Sequence, residues 1–386
     1  MGLTQHRNSV NTIKELVNIL LMKGSIGKPG AGTCPVRGHS NVQGDRTMGI
    51  HEKPASYILD NIEKVFNFSP PRDHGYDTVA AIEAMYEKKA KVFFGLGGNF
   101  LSATPDTNYT AQALQNCNLT VQVSTKLNRS HLVHGKEAII LPCLGRTDKD
   151  VTNGELQFVT VENSMGVVHS SKGSLTPVSD KLISEVSIVC QLAKATLKDI
   201  TIDWDKYLKH NDAIRDDIEK VIKGFDDYNK RVRRPEGFYL PNCARDNHYD
   251  TASGKAHFSL SNYTAPTLQS DEYMMMTIRS HDQFNTTIYG LNDRYRGIEN
   301  ERRVIMMNPM DMKDIGLKEK DIVDLYNYDD GRIRMAPKFL VIPYEIPRQC
   351  VSTYFPEANV LVSIKQKAHK SNTPASKSVI IKIKKQ

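Results

Sequence analysis

The stretch at residues 34–44 combines side chains that could bind an anion and a heterocycle. Arg37 is followed by a glycine and has no acidic neighbour in the loop, which suits a guanidinium directed at an anion. Asn41 and Gln43 carry amides that both donate and accept hydrogen bonds, as recognition of a heterocycle requires. His39 could move a proton or serve only as a hydrogen-bonding group. The residues alone leave an exposed loop with a solvated arginine as an equal alternative.

A second candidate is the turn Gly95-Leu96-Gly97-Gly98-Asn99-Phe100, which follows a short apolar strand. It has the first two glycines of the G-x-G-x-x-G dinucleotide motif, but Phe100 replaces the third. The next strand also ends without the acid that would bind a ribose hydroxyl, so a nicotinamide site is disfavoured. Backbone N–H groups at Gly98, together with Asn99, could bind a different nucleotide or a pyrophosphate. A tight strand–helix turn with no ligand is the open alternative.

The elements that would position these loops follow from hydrophobic periodicity. Apolar residues from Val10 to Leu21 recur at helical spacing, and a glycine-rich loop follows. Residues 77–142 alternate between helical and strand patterns, which predicts an α/β doubly wound parallel sheet with ligands at the carboxyl ends of its strands. Leu182 to Ala193 reads as a further amphipathic helix, and the mixed charges of 199–234 predict an exposed helix and connection.

The remainder of the chain reads as β-rich. Strand-like runs occur at 273–277, 304–307, 322–326 and 332–335. Asp329-Asp330-Gly331 is a hairpin turn signal between the last two, and Asn308-Pro309 can begin a short helix. Residues 265–386 are therefore predicted to form a barrel-like domain, in which Met274, Met275 and Met276 are core residues rather than metal ligands.

Several motifs occur together and in one order. They are Gly2-Leu3-Thr4-Gln5-His6, the glycine-rich run at 24–32, Pro35 to Gly44, Gly97-Gly98-Asn99, Ala138 to Pro142, Thr251 to Phe258, Tyr354 to Asn359 and Ser371 to Lys377. In this order the sequence resembles the formate-dehydrogenase-like molybdopterin oxidoreductases over nearly its whole length. Within that family it is most similar to the branch called oxidoreductase alpha (molybdopterin) subunit. The resemblance implies a molybdopterin-dinucleotide-binding barrel of double-psi type at the end of the chain.

The resemblance also implies roles for individual residues. Arg37 matches a position beside the metal that orients a small anion such as formate, while His39 stands where better-known formate enzymes have glutamine. The implied cofactor-binding residues are Gln5, Asn41, Gln43, Gly98, Asn99, Arg279, Gln283, Asn285, Asn359 and Lys377. In the family, the position that matches Asn99 often carries an acidic residue. The implied cofactor is molybdenum or tungsten bis-molybdopterin guanine dinucleotide.

The same resemblance places the metal ligand, its neighbouring histidine and any iron–sulfur cluster in an upstream half that has no counterpart here. Cys34 is not at the ligand position, and no metal ligand is assigned. We therefore expect the carboxy-terminal portion of an oxidoreductase, inactive alone. The expected segments are 1–55 (tail of the central oxidoreductase domain), 56–235 (α/β dinucleotide-cofactor domain), 236–264 (connection) and 265–386 (dinucleotide-binding barrel). A cofactor-binding module that pairs with a separate upstream chain, or a non-catalytic gene remnant, are the alternatives.

Composition narrows the other possibilities. The 386 residues carry a formal net charge of +7, but basic and acidic residues are interspersed, which disfavours a nucleic-acid partner. The six cysteines are scattered without C-x-x-C spacing, so zinc or iron–sulfur sites and disulfides are not expected. Neither an apolar run of membrane-spanning length nor a secretory signal is recognisable. We expect a cytoplasmic protein with a small anionic substrate and with a separate upstream chain or an electron-transfer subunit as partner.

Overall fold

The protein is described by a computed structural model that covers residues 1–37, 41–198, 202–262, 265–286 and 288–386. Its helices, in chain order, are α1 (Ser9–Met22), α2 (Val42–Thr47), α3 (Ser56–Phe66), α4 (Thr78–Tyr86), α5 (Phe100–Ala103), α6 (Thr107–Gln115), α7 (Glu185–Thr196), α8 (Trp204–Lys209), α9 (Asp212–Val221), α10 (Tyr228–Arg231) and α11 (Pro309–Asp314). Short 3-10 turns lie at Arg129–Leu132, Cys243–Asp246, Asp329–Gly331 and Asn359–Leu361. None of these helices, in the part of the chain that is described, has the length and apolar character needed to cross a bilayer.

The strands of the described residues form four sheets. They are β1 (Val92–Leu96), β2 (Leu119–Ser124), β3 (Glu137–Pro142), β4 (Val151–Thr152), β5 (Glu155–Leu156), β6 (Val159–Glu162), β7 (Val167–Ser171), β8 (Phe238–Tyr239), β9 (Tyr273–Ile278), β10 (Val304–Met307), β11 (Ile322–Asn327), β12 (Arg334–Pro343), β13 (Cys350–Tyr354) and β14 (Val379–Lys385). Strands β4 and β5 pair alone, and β6, β7 and β8 form a small antiparallel sheet.

Strands β1, β2 and β3 form a parallel sheet in the order β1-β2-β3. Side chains of a strand alternate between faces. Phe93 accordingly packs with residues of α4 and α6, and the next residue, Phe94, packs with Ile188 of α7. The predicted alternation of strands and helices in a parallel sheet is therefore confirmed. A doubly wound sheet also needs the strand order to reverse; the described strands run sequentially, so that finer expectation stays a prediction.

The last third of the chain closes into a barrel with the strand order β10-β12-β11-β14-β9-β13. Two of its pairs, β10 with β12 and β9 with β13, are parallel, and the others are antiparallel. The interior is apolar and includes Met275, Val323, Leu325 and Phe339. Met275 is fully buried, whereas Met276 faces outward, because successive residues of β9 point to opposite sides. The expected β-barrel is present, with the Asp329–Gly331 turn linking β11 to β12 as the sequence indicated.

The segment predicted to be exposed, 199–234, instead contributes to a third core. Phe225, Tyr228 and Val232 are each 1% exposed or less and pack with Ile58 of α3 and Phe238 of β8. The prediction of an exposed helix and connection was wrong. Helix α9 ends at Val221, and the buried residues that follow it do not continue its helical repeat. Part of the prediction, residues 199–201, lies outside the described residues.

A buried ion pair joins the parallel sheet to the barrel. The carboxylate of Asp106, just ahead of α6, accepts hydrogen bonds of 2.9 and 2.8 Å from the guanidinium of Arg334 on β12. Arg334 also donates to Asp330 at 3.0 Å in the β11–β12 turn. Both side chains of the Asp106–Arg334 pair are nearly inaccessible to solvent, at 6% and 4% exposure. The pair therefore fixes the sheet against one side of the barrel.

Candidate cofactor-binding site

Three strand ends meet at one end of the barrel. Because β9 and β13 are parallel and Ile278 pairs with Tyr354, both strands end together, and the next residues are Arg279 and Phe355. Strand β14 runs antiparallel to β9, so its start brings Lys377 to the same end. The backbone N–H of Phe355 donates to the Ile278 carbonyl at 2.8 Å, which holds the two strand ends together. Residues separated by about a hundred positions thus form one surface, termed here the barrel mouth.

Arg279 is half-buried at the barrel mouth. Its guanidinium carbon lies 4.8 Å from the centre of the Phe355 ring, and one of its nitrogens donates to the Asn285 carbonyl at 2.8 Å. Burial lowers the pKa of Arg279 from its ordinary value. An arginine stays protonated despite such a shift, so this residue presents a fixed positive charge.

Lys377 adds a second cation beside it. Its ammonium donates to the Thr277 carbonyl, and its backbone N–H donates to the carbonyl of Gln5 at 3.0 Å. The pKa of Lys377 is lowered to about 8, mainly by burial and secondarily by the charge of Arg279. Within the described residues neither Lys377 nor Arg279 is paired with a carboxylate. The barrel mouth therefore holds positive charge that an anion could neutralise.

The amino-terminal segment lies against this end of the barrel. The Ser376 hydroxyl donates to the side-chain oxygen of Gln5 at 3.1 Å, and Nδ1 of His6 is 2.9 Å from the hydroxyl oxygen of Ser378. Burial, opposed by a hydrogen bond involving Gly2 and reinforced by the nearby charge of Lys377, lowers the pKa of His6. Gln5 was predicted as a cofactor contact, and it lies next to the two cations.

The parallel sheet meets the barrel through the loop after β1. Asn99 is 7% exposed; its amide nitrogen donates to the Thr286 carbonyl at 3.1 Å, and its oxygen accepts from the Ser130 hydroxyl at 2.5 Å. Both ends of that amide are therefore engaged within the protein. Gly98 has φ +80°, and a side chain added there would meet no atom within 4 Å. The backbone of Gly98 thus borders open space at the carboxyl end of the sheet.

A cleft of about 180 Å³ lies between the amino-terminal segment, the end of α5 and the barrel. Its walls include Gln5, Thr104, Phe355, Asn359 and Ser376. Asn359 donates from its side chain to the Ser102 carbonyl at 2.7 Å. Its own carbonyl accepts from the N–H of Asp106 at 3.0 Å. The cleft is smaller than the roughly 300–1,000 Å³ typical of whole-ligand pockets, so it could hold only part of a dinucleotide.

Gln283 and Asn285, two further predicted contacts, form the loop below Arg279. The amide nitrogen of Gln283 donates to the carbonyls of Asn285 at 2.8 Å and Phe355 at 2.7 Å. Its oxygen accepts from the backbone N–H of Ser280 at 3.0 Å and from Arg302 at 3.1 Å. These contacts use the hydrogen-bonding groups of Gln283 internally, so its visible role is to shape the loop.

Arg302, which was not predicted, supports the same loop. It is 4% exposed and donates to Glu357 at 2.7 Å and to the carbonyl of Phe355 at 2.9 Å. Its guanidinium carbon lies 4.2 Å from the centre of the Tyr289 ring and 4.9 Å from that of Tyr354. The contacts with Phe355 and Glu357 join segments over fifty residues apart, and no local motif could have revealed them.

The other predicted catalytic and pterin-contacting residues are held by β6. Arg37 is exposed and donates to the side-chain oxygen of Gln43 at 3.2 Å. Gln43 in turn donates to the carboxylate of Glu162 at 2.7 Å, and Thr47 donates to its second oxygen at 2.6 Å. Asn41 accepts from the backbone N–H of Glu162 at 3.1 Å. Glu162, which was not predicted, therefore organises this loop. His39 lies outside the described residues.

The cysteines form no cluster. Cys34 is exposed, and burial raises the pKa of the Cys143 thiol to about 11, with a smaller contribution from Glu185. Across residues 1–37, 41–198, 202–262, 265–286 and 288–386, no three histidine, cysteine, aspartate or glutamate side chains are grouped to hold a metal ion.

Comparison with known proteins identifies relatives for the barrel and for the chain. Residues 273–380 match the family model described as Molydopterin dinucleotide binding domain. An uncharacterized oxidoreductase of Mycobacterium tuberculosis is 52% identical over 390 residues, which cover 99% of this chain and 50% of that protein. The alpha subunit of an F420-dependent formate dehydrogenase from Methanocaldococcus jannaschii is 24% identical over 256 residues, covering 65% of this chain and 36% of the subunit.

Among solved structures, acetylene hydratase from Pelobacter acetylenicus aligns with a TM-score of 0.53 at 13% identity. The alignment covers 89% of this chain and 50% of the hydratase. At this identity the likeness shows a shared fold. The chain spans about half the length of curated relatives that are 52% and 41% identical to it.

Proposed function

Because the chain belongs to the molybdopterin oxidoreductases, we propose that it binds molybdopterin guanine dinucleotide in an enzyme of formate-dehydrogenase type. The complete enzyme would oxidise formate or a similar small anion by two electrons. The observation that carries the proposal is the pair of cations at the barrel mouth, Arg279 and Lys377, which have no carboxylate partner in the described structure. They lie inside the segment that matches the dinucleotide-binding family model.

The side chains at the barrel mouth fit such a ligand. A pyrophosphate carries negative charge that Arg279 and Lys377 would offset in a poorly solvated place. Gln5 and Asn359, on the walls of the cleft, would supply hydrogen bonds to the pterin or the sugar. The proposed contribution of Gln283 and Asn285 is to hold Arg279 in position. On the sheet side, the open backbone of Gly98 would approach a second nucleotide, and Asn99 would anchor that loop to the barrel.

The bound molybdenum or tungsten cofactor would supply the two-electron redox chemistry, while the protein would bind and orient the substrate. Arg37, followed by the amides of Asn41 and Gln43, would pair with the carboxylate of the anion. Oxidation of formate to carbon dioxide releases one proton and two electrons. His39 is the proposed acceptor of that proton. An electron-transfer subunit, or an iron–sulfur cluster in the remainder of the enzyme, would remove the electrons.

Support for formate as substrate comes from the name of one distant relative, a formate dehydrogenase subunit. The metal ligand and the adjacent histidine are expected in the half of the relatives that lies outside the match with this chain. We therefore propose that the chain alone binds cofactor without turnover and functions in the cytoplasm. A module working in trans with a separate upstream chain is the second candidate. A non-catalytic remnant is the third.

The test is formate-dependent reduction of a viologen dye by the chain co-expressed with the half of the mycobacterial relative that it does not match. Turnover is expected, with loss of at least about a hundredfold in Arg37→Ala, because the anion loses its charge-assisted hydrogen bond. Arg46→Ala, an exposed arginine on α2, is the matched control. Unchanged turnover in Arg37→Ala would exclude the proposed role of Arg37. Bound cofactor without formate oxidation would exclude formate as the substrate.

A further inference from the structure

The guanidinium of Arg279 is held at the barrel mouth by two contacts. One is the hydrogen bond of 2.8 Å to the Asn285 carbonyl, and the other is the Phe355 ring, whose centre lies 4.8 Å from the guanidinium carbon. An arginine side chain loses conformational entropy when it is fixed in one orientation. Arg279 therefore presents its charge in one direction only while both of these partners keep their own positions.

Gln283 holds both partners of Arg279. Its amide nitrogen donates to the Asn285 carbonyl at 2.8 Å and to the Phe355 carbonyl at 2.7 Å. Its amide oxygen accepts from Arg302 at 3.1 Å. The two ends of an amide differ in hydrogen-bonding character, so the nitrogen faces the carbonyls only while the oxygen faces donors. Arg302 thus supports the orientation of Gln283, and Gln283 supports that of Arg279.

The position of Arg302 is itself fixed by several bonds. Its Nε and one terminal nitrogen donate to the two carboxylate oxygens of Glu357 at 2.7 and 3.1 Å, a forked pair that an ammonium group cannot form. Arg302 also donates to the Ser280 hydroxyl at 2.6 Å and to the Phe355 carbonyl at 2.9 Å. Glu357 offsets the charge of Arg302. The pair therefore adds order to the barrel mouth without adding net charge.

A second buried ion pair fixes the backbone of Arg279. Asp293 is 1% exposed and accepts from the Tyr354 hydroxyl at 2.7 Å and from Arg296 at 2.6 Å. Burial alone would raise the pKa of Asp293, but hydrogen bonds from Tyr354 and Arg296 outweigh it and lower that pKa. Arg296 also donates to the backbone carbonyl of Arg279 at 3.3 Å. The charged Asp293–Arg296 pair thus holds the point from which the Arg279 side chain extends.

We propose that Arg302 is a positioning residue for anion binding, which acts through Gln283 to fix the direction in which Arg279 presents its guanidinium to a pyrophosphate. The Asp293–Arg296 pair fixes the backbone for the same purpose. The inference rests on the proposed function in naming the pyrophosphate of a dinucleotide as the anion. The orientation of Arg279 can be tested without nucleotide, because its charge acts on Lys377.

The first measurement is the pKa of Lys377, followed by NMR on the whole chain. Arg302→Lys keeps the positive charge but cannot form the forked pair with Glu357, so Arg279 should lose its fixed orientation. The pKa of Lys377 should then rise above about 8, because the charge of Arg279 helps to lower it. In the Arg279→Met background, Arg302→Lys should change this pKa no further. A residue that contributed only to overall stability would leave the pKa in the folded chain unaltered.

The second measurement is calorimetric binding of guanosine diphosphate. Arg302→Lys should weaken binding by about tenfold, because Arg279 is no longer aligned for a charge-assisted hydrogen bond. Gln283→Met removes the intermediate amide at a less buried position and should have the same effect, so it decides the matter if Arg302→Lys does not fold. Arg303→Lys is the matched control. This exposed arginine donates to the Pro337 carbonyl at 3.2 Å, and its variant should bind as wild type.

Two results would overturn the positioning role. One is a Lys377 pKa that stays at its wild-type value in the folded Arg302→Lys and Gln283→Met variants. The other is a further loss of affinity, or a further change in that pKa, when Arg302→Lys is added to Arg279→Met, since Arg302 would then act independently of Arg279. Failure of the wild type to bind guanosine diphosphate would count against the proposed function instead. The Lys377 pKa would still decide whether Arg302 positions Arg279.

Discussion

The positive charge of Arg279 acts on Lys377 at the mouth of the barrel. Burial and the positive charge of Arg279 together lower the pKa of Lys377 to about 8. Such an arrangement is unfavourable for the free protein and becomes favourable when an anion binds between the two cations. The barrel mouth therefore has a measurable pH signature.

The first prediction concerns pH and ligand affinity. Guanosine diphosphate, which carries the guanine and pyrophosphate of the proposed cofactor, should bind most tightly below pH 8, where Lys377 is charged. As the pH rises through the lowered pKa the ammonium loses its proton, so affinity should fall by about tenfold between pH 7 and 9.5. Calorimetric titration measures this. Lys377→Met should bind weakly and without that pH dependence, whereas Lys172→Met, on an exposed lysine, should behave as wild type.

The same group should affect stability with a defined sign. The pKa of Lys377 is lower in the folded chain than the ordinary value of 10.5, so burial of its charge destabilises the fold below pH 8. That cost is relieved between pH 8 and 10.5, where the unfolded chain binds more protons than the folded one. The Lys377 contribution to the free energy of unfolding should therefore rise with pH in this window. Urea titrations of wild type and Lys377→Met at pH 7.5 and 9.5 isolate it, and an opposite slope in their difference would contradict it.

The second prediction removes the neighbouring charge. In Arg279→Met the pKa of Lys377 should rise, because the repulsive charge is gone while burial remains. Titration of the Lys377 ε-carbon by NMR reports this directly. Arg294→Met changes an exposed arginine on the same loop and should leave the Lys377 pKa unaltered. Equal values in wild type and Arg279→Met would show that the two cations do not interact.

The third prediction concerns the ion pair between sheet and barrel. Asp106→Asn should lower the free energy of unfolding by roughly 3 kcal/mol, because Arg334 is left buried with a weaker partner. Arg332→Met, whose side chain is 41% exposed, should cost less than about 1 kcal/mol. Urea denaturation followed by circular dichroism compares them. Similar losses in the two variants would argue against a special role for the buried pair.

The free energy of unfolding should fall in acid because Asp330 belongs to the same group of ion pairs as Asp106 and Arg334. Burial alone would raise the pKa of Asp330, but hydrogen bonds from Arg334 and Arg332 outweigh it and lower the pKa well below its usual range. The stabilisation is therefore present above the ordinary aspartate pKa and is lost as the pH falls into the acid range. Asp330→Asn should show a smaller loss of stability between pH 5 and 3 than wild type, by urea denaturation at each pH.

The fourth prediction concerns the loop of the proposed catalytic arginine. Glu162→Ala removes the acceptor of Gln43 and Thr47, and leaving such donors unsatisfied should cost about 1–3 kcal/mol. Hydrogen exchange in 41–47 should accelerate, and Arg37 should lose its ordered partner. Glu155→Ala removes an exposed carboxylate nearby in sequence and serves as the control. Unchanged exchange in 41–47 would show that Glu162 does not organise the loop.

Local signals in the sequence predicted the fold where local chemistry decides it. The Asp329–Gly331 turn and the helix begun by Asn308 and Pro309 are present because turn and capping residues act on their immediate neighbours. The strand predicted at 332–335 is in fact longer, Arg334–Pro343, since its pairing with both β10 and β11 extends it. Such cross-strand partners lie far apart in sequence, where periodicity carries no information.

The residues of the candidate site could be proposed from the sequence, but their contacts could not. The resemblance predicted Arg279 and Lys377 as cofactor contacts, and the strand register explains why both lie at the barrel mouth. The resemblance could not reveal that the side-chain amides of Asn99 and Gln283 form hydrogen bonds within the protein. Nor could it reveal that Glu162 binds the loop that carries Arg37. These hydrogen bonds join residues 72 to 187 positions apart, so they depend on the assembled fold.

The most direct test of the account is the nucleotide content of the assembled protein. The chain is co-expressed with the complementary half in cells that make molybdenum cofactor, and the guanosine monophosphate released by acid hydrolysis is quantified. Stoichiometric release is expected from the wild type, and most of it should be lost in the Arg279→Met, Lys377→Met double variant. Absence of guanine nucleotide from the wild-type assembly, or equal content in the double variant, would contradict it.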